Sequence, residues 1–228
     1  MEGMPPMPAW PAHTDDLPDW FSRCGYVRLP GFLAGQDLSE LRAELQRLEK
    51  IAKRRDFAMA CMDGSPRRMT TLGGQAIAAE SALIPRLAAD RTLLALLRHI
   101  SGLEAVPAPA RTERFVLNIL HQESDTHGAH VDDYPLALVL FTEAPASPDD
   151  GGLLEYVPRA AGLHQLDTPL ARRAHHRPGD AYLLRSDTTA HRVTPLRQPG
   201  VRRVVLNLAY TTPGLRTATT PSAALLYD

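Results

Sequence analysis

The stretch Asp125-Thr126-His127-Gly128-Ala129-His130-Val131-Asp132-Asp133-Tyr134 opens the half of the chain that is rich in strand signals. In a strand, residues i and i+2 face the same way, so His130 and Asp132 project together. An imidazole and a carboxylate on one side supply two of the three ligands of a facial triad. Two His and one carboxylate, with positions left open, suit non-haem Fe(II) and oxygen chemistry. The third ligand should be a His from a later strand, and His191 in Thr189-Ala190-His191-Arg192-Val193-Thr194-Pro195 is available. A basic strand follows, and an arginine there can grip the far carboxylate of a dicarboxylate co-substrate bidentately.

Outward from this stretch, the apolar period divides the chain. After Gly102 it is 2: Glu113 to His121, Leu136 to Phe141, Leu153 to Val157, Ala181 to Leu184 and Val201 to Tyr210 read as strands. Turn chemistry separates them at Asp149-Asp150-Gly151-Gly152, Pro178-Gly179-Asp180 and Pro199-Gly200. Before Gly102, Leu38, Leu41, Leu45, Leu48 and Ile51 recur at three- and four-residue steps, which marks an amphipathic helix. A second helical stretch covers Ser81 to Ile100, with Pro85 in its first turn and Asp90 capping a later segment. Thr14 or Asp15 can cap a short helix that holds Trp20 and Phe21 and stops at Gly25, and Tyr26 to Leu29 alternates like a strand. Cys61 reads as an inert thiol in an apolar strand, and His175-His176 as a solvated loop. Helices followed by short strands give an α+β chain, with N-terminal helices buttressing a β-sandwich or jelly roll. Residues 1–13 carry four Pro and read as a flexible arm, and residues 14–228 as a single domain.

Composition bounds the function. The 228 residues fall in the single-domain range and can bury roughly 70–75% of the unfolded surface. Twenty-five basic side chains against 26 acidic ones leave a net charge of −1, which argues against nucleic acid as a partner. The arginines are scattered and build no patch. Two Cys make no disulfide scaffold, so a reducing, cytoplasmic setting is expected. No signal or transit peptide is recognisable, and no run approaches the length of a membrane span. Nine His is a high count and the one compositional hint of chemistry.

With these residues in place, the chain resembles a family, the Fe(II)/2-oxoglutarate-dependent oxygenases. The resemblance runs from Phe21 to Tyr210. Gly25-Tyr26-Val27-Arg28-Leu29-Pro30-Gly31-Phe32-Leu33 looks like the family's opening strand. His130-x-Asp132, Gly151-Gly152, Pro178-Gly179-Asp180, His191-Arg192-Val193-Thr194-Pro195 and a closing arginine strand follow in the family's order. The resemblance implies a double-stranded β-helix core, with Fe(II) held by His130, Asp132 and His191 as the catalytic centre. It also implies 2-oxoglutarate as co-substrate and O2 as oxidant. Strand parity chooses between the two arginines of the closing strand. Arg202 shares its face with Val204, Leu206, Leu208 and Tyr210, as a helix-packed outer face would. Arg203 shares its face with Val205, Asn207 and Ala209, so Arg203 is expected to bind 2-oxoglutarate. The family usually places Ser or Thr where Val205 stands. Asn118 is expected to contact the co-substrate, yet strict alternation puts Asn118 and Glu113 on opposite faces unless a bulge intervenes.

Within the family, Thr126-His127-Gly128-Ala129-His130-x-Asp132-Asp133 looks like the lysine radical halogenases and their hydroxylating relatives, which act on free amino acids. This closer likeness implies that His127 and Asp133 hold the substrate's head group and that Arg67 or Arg68 meets its carboxylate. Glu113 and Asn207 match two further recognition residues. Ala209 stands where a hydroxyl side chain is expected, which counts against lysine itself. The halogenases have Gly in place of the metal-binding carboxylate and so leave room for chloride. Asp132 fills that place, and hydroxylation is expected rather than halogenation. Three other readings share parts of the pattern. They are the same chemistry on a carrier-tethered or peptide-bound amino acid, a metal cupin, and a non-catalytic ligand-binding sandwich. The expected partner is a small-molecule amino acid, with no membrane, and the chain a monomer or homodimer.

Overall fold

The computed structural model describes residues 16–215 and 225–227; the expected arm and the caps at Thr14 and Asp15 lie outside them. Helix α1 (Leu17–Cys24) stops where Gly25 takes a left-handed φ of 60° and donates its amide to the carbonyl of Phe21. Strand β1 (Tyr26–Leu29) follows. Helix α2 (Gly35–Glu49) buries Leu41, Leu45 and Leu48, whereas Ile51 lies past its end and is exposed. The chain then forms a hairpin, β2 (Lys53–Met59) and β3 (Ser65–Leu72), which the sequence does not announce. The reason is visible in β2, an edge strand that is largely exposed and shows little apolar alternation. Cys61, expected in a core strand, is exposed in the turn Ala60–Met62 at the hairpin's tip.

Three helices come next: α3 (Gly74–Glu80), α4 (Leu83–Ala88) and α5 (Arg91–Ser101). Pro85 sits in the first turn of α4. The Asp90 carboxylate accepts from the Leu93 amide at 2.8 Å, and Gly102 ends α5 with φ 68°. The remaining strands are β4 (Val106–Pro107), β5 (Phe115–Leu120), β6 (Thr126–His130), β7 (Leu136–Glu143), β8 (Leu154–Val157), β9 (Arg172–Ala174), β10 (Ala181–Leu184), β11 (Ala190–Val193) and β12 (Arg203–Thr211).

Among the described residues the strands make one curled sheet in the order β1-β10-β7-β12-β5-β3-β6-β11-β8-β9, with β2 on β3 and β4 on β12. All recorded strand pairs are antiparallel. Strand β3 joins the two walls: Thr70–Leu72 pair with β5, and Arg67–Arg68 pair with β6. The helices cover the outer face of the larger wall, where Val204, Leu206, Leu208 and Tyr210 pack with Leu45, Leu48 and Leu97. Tyr26, Phe141, Leu154, Tyr156, Tyr182 and Val205 pack on the inner side. The architecture is the expected α+β jelly roll, with the chain's helices set against one wall.

Two local constraints set the register around β6. A Cβ on Gly128 would stand 2.6 Å from the Pro66 carbonyl oxygen, so only glycine lets β6 and β3 approach this closely. Asp125, fully buried, accepts from both end nitrogens of Arg54 at 2.6 and 2.9 Å and from the amides of His121 and Gln122. Burial alone would push its carboxyl up, but Arg54 and the two amides hold it below the usual carboxylate range. A folded carboxyl with a depressed pKa stabilises the fold above the unfolded pKa and loses that contribution as pH falls through the folded one. Asp125→Asn should therefore cost about 2–3 kcal/mol near neutral pH. In denaturant unfolding curves its deficit against the parent should shrink below roughly pH 4. Gly128→Ala should lower the melting temperature by several degrees through strand separation.

Candidate metal centre and its cavity

His130 and His191 are direct partners across the β6–β11 pair, and their rings lie 4.1 Å apart between centroids. Asp132 is past the end of β6, in a loop whose position is fixed by the Asp132 amide donating to the Ser186 carbonyl at 2.9 Å. Its Oδ1 lies 3.6 Å from His130 Nε2 and 3.9 Å from His191 Nε2. One ligand atom from each of the three lies within 4.8 Å of the others, a spacing suited to one metal ion. The Nδ1–H of His130 donates to the Gly128 carbonyl at 2.7 Å, and that of His191 to the Thr189 carbonyl at 2.9 Å. Since a carbonyl can only accept, Nδ1 is the protonated nitrogen and Nε2 the one turned to the site, the tautomer a metal needs. Burial and the neighbouring His191, His127 and Arg67 hold His130 well below its ordinary pKa, and so neutral. Burial pushes the Asp132 carboxyl up, while His191 and the Ser186 hydroxyl pull it back.

His127 also lines this cavity, although it is three residues before His130 and ordinary alternation would turn it away. The pairing explains the exception. His191 pairs with His130 and Val193 with His127, so two steps on β11 match three on β6. The extra residue is a bulge, and it lets the rings of His127 and His130 stack at 4.2 Å.

Arg203 faces the cavity and is 3% exposed, with its guanidinium 4.9 Å above the Phe141 ring and in contact with the Tyr182 hydroxyl. Its Nε has no partner, and no acidic side chain among the described residues pairs with it. Arg202 points the other way, held by Glu49 at 2.8 Å and Glu143 at 2.9 Å. Asn118 lines the same chamber, and its Oδ1 accepts from the Thr71 hydroxyl at 2.8 Å. Val205, Asn207 and Ala209 line it as well, and Asn207 Oδ1 is buried with no partner among the described residues.

The structure separates the other pair of candidate arginines. Arg67 is 1% exposed and lines the cavity. It donates to the Ser65 hydroxyl at 2.8 Å and the Pro66 carbonyl at 3.1 Å, and its Nε has no partner among the described residues. Arg68 is exposed on the opposite face, 3.7 Å from Asp56, and cannot reach a ligand in the cavity. Alternation along β3 is the reason. Glu113 and Asn118 both face inward, and no bulge in β5 is involved. Glu113 belongs to the turn before Phe115, where alternation does not apply. Burial, then Asp133 and Asp132, push the Glu113 carboxyl up to about 7.

Three features of the site escape a sequence reading. Tyr227, from the short helical turn at residues 225–227, lines the cavity beside Leu226, whose carbonyl accepts from Arg55 at 2.9 Å. No local pattern links that C-terminal turn to the triad. Tyr182 is hidden in an apolar strand. His176, expected in a solvated loop, is 3% exposed, bonded to the Tyr26 hydroxyl at 2.9 Å and stacked on Phe141 at 4.5 Å.

The residues present fit an iron ion and 2-oxoglutarate. The triad offers two imidazoles and a carboxylate, and the orphaned Arg203 Nε belongs to a buried cation without a counterion among the described residues. No curated protein sequence matches the chain. Solved structures do. The epimerase SnoN, crystallised with Fe3+, alpha ketoglutarate and nogalamycin RO, gives a TM-score of 0.71 at 17% identity over 93% of this chain and 88% of that one. HygX from Streptomyces hygroscopicus, with nickel and 2-oxoglutarate bound, gives 0.65 at 17% identity over 93% and 94%. A prolyl-4-hydroxylase from Pseudomonas putida gives 0.59 at 19% identity over 89% and 100%. Likeness at these identities establishes a shared fold, that of the Fe(II)/2-oxoglutarate oxygenases. Sequence adds the family: residues 10–221 match the one described as Halogenase D, a span that contains the triad, both cavity arginines and Glu113. This chain belongs to the Halogenase D family.

Proposed function

We propose that the protein is an Fe(II)/2-oxoglutarate-dependent hydroxylase of an unactivated C–H in a free, polar or cationic amino acid, with succinate and CO2 as co-products. The observation that carries this reading is Arg67, a buried cation with no carboxylate partner among the described residues, in the cavity that also holds the triad, Glu113 and Asp133. An isolated buried charge is costly, so the cavity favours a ligand that brings a carboxylate.

Each residue has a distinct task. His130, Asp132 and His191 hold the iron. Arg203 neutralises the far carboxylate of 2-oxoglutarate, and Asn118 donates to it from the neighbouring strand. Arg67 and His127 take the substrate carboxylate, Asp133 the amine, and Glu113 with Asn207 the polar end of the side chain. Iron with its co-substrate and O2, when bound, supplies the oxidant that removes hydrogen from carbon; the protein fixes which carbon is presented. As a metal ligand, the Asp132 carboxylate would fill the position a halide needs, which supports hydroxylation although the family is described by a halogenase. A carrier-tethered or peptide-bound substrate lacks the free carboxylate that Arg67 is placed to meet. Among the described residues no helix is long and apolar enough to cross a membrane, and a cytoplasmic location suits the two thiols.

The direct test is succinate release measured across the free amino acids, followed by the mass of the product. A gain of one oxygen supports the proposal; turnover of a peptide with none of any free amino acid would defeat it. Asp132→Ala should abolish turnover and weaken iron binding, and parent-like iron binding would remove Asp132 from the triad. Arg203→Gln should raise the Kd for 2-oxoglutarate by about 10²-fold, read from the anaerobic charge-transfer absorbance with Fe(II). The Glu113 carboxyl loses its proton only as pH rises through about 7. For a cationic substrate, KM should therefore fall across that range, and in Glu113→Gln the dependence should flatten.

A further inference from the structure

His176 is a buried titratable side chain with no task in the proposed chemistry, and its surroundings link it to Arg203. Among the described residues no carboxylate holds the Arg203 guanidinium. It rests on the Phe141 ring, 4.9 Å from the centroid, and contacts the Tyr182 hydroxyl. A ring can orient a cation only where the ring itself is fixed, and His176 supplies that restraint. Its imidazole lies nearly parallel to the Phe141 ring, with 4.5 Å between centroids and 15° between planes.

The two neighbours reach Phe141 from opposite sides. Strand β7, which carries Phe141, runs between β10 and β12. Arg203 opens β12, whereas His176 lies in the segment that leads into β10. That segment is pinned to the same residue. The Gly179 amide donates to the Phe141 carbonyl at 2.8 Å, and the Phe141 amide donates to the Asp180 carbonyl at 3.0 Å. Behind the imidazole, Nε2 is bonded to the Tyr26 hydroxyl at 2.9 Å, and Tyr26 stacks on Tyr156 at 4.6 Å. Burial, then Arg203, Arg28 and His175, hold His176 well below its ordinary pKa. It therefore stacks as a neutral ring and adds no second cation beside Arg203.

We propose that His176 is a positioning residue for the co-substrate: through Phe141 it fixes the Arg203 guanidinium that receives the far carboxylate of 2-oxoglutarate. The inference rests on the reading of Arg203 as the anchor for that carboxylate. A guanidinium stacked on an aromatic face keeps its N–H edge free for a bidentate acceptor. A protein carboxylate would hold the arginine as well, but it would occupy that edge. The Arg203 Nε, without a partner among the described residues, agrees with support from a ring.

The test reads the Kd of 2-oxoglutarate from the anaerobic charge-transfer absorbance with Fe(II). The second probe is 2-oxopentanoate, which has a methyl group in place of the far carboxylate. His176→Leu removes the flat ring and His176→Phe keeps it, while both lose the bond to Tyr26. His176→Leu should raise the Kd of 2-oxoglutarate about fivefold or more, with the Kd of 2-oxopentanoate unchanged. Its kcat at saturating 2-oxoglutarate should stay at the parent value, and His176→Phe should restore the Kd. Phe141→Leu should match His176→Leu, and it reads the same support if that variant does not fold. In an Arg203→Gln background His176→Leu should have no further effect. Equal weakening of both ligands, an undiminished effect in the Arg203→Gln background, or His176→Phe as weak as His176→Leu would overturn the positioning role. A parent-like Kd in Arg203→Gln alone would instead overturn the reading of Arg203, and the proposal with it.

Discussion

The pairing of His130 with His191 across β6 and β11 is the constraint on which the rest of the site depends. It brings two ring nitrogens to one point with no help from a loop, and the backbone carbonyls of Gly128 and Thr189 fix which nitrogen faces the metal. The one-residue bulge beside it has a second effect, since it turns His127 onto the same side. Gly128 is where that bulged strand meets β3, and its lack of a side chain brings Arg67 opposite His127. The candidate metal ligands and the cavity arginine are thus consequences of one register.

Charge organises the cavity around that register. Arg203 and Arg67 are both buried without a carboxylate partner among the described residues, an arrangement that costs free energy. Two ligands that each bring a carboxylate, as proposed, would offset it. Glu113, Asp132 and Asp133 share the same cavity, and burial with their mutual repulsion pushes the Glu113 carboxyl up to about 7. A zwitterionic ligand with a cationic side chain complements these charges, which is the basis for the proposed substrate class.

Much of the frame is readable along the chain because it follows from periodicity. The i, i+2 spacing of His130 and Asp132, the later His191, and the parity that sets Arg203 and Arg202 on opposite faces are all local properties. The structure also corrects local reasoning where its premise fails. Asp132 lies beyond the strand, and it converges on the histidines because its amide is tied to Ser186. Glu113 escapes alternation by sitting in a turn, and Arg68 loses its candidacy because β3 alternates. The β2–β3 hairpin is hidden because its edge strand is polar and exposed, so no burial is written into its pattern.

By itself, then, the sequence determined the α+β jelly roll, the three candidate metal ligands and the inward-facing arginine, because each rests on residues close in the chain or on strand parity. Only the tertiary structure decided that Arg67 rather than Arg68 enters the cavity, that Tyr227 lines it, and that His176 is buried under Tyr26 and Phe141. Those outcomes depend on which distant strands meet and where a bulge falls. Such choices are made by packing across the whole sheet, and no short window of sequence carries them.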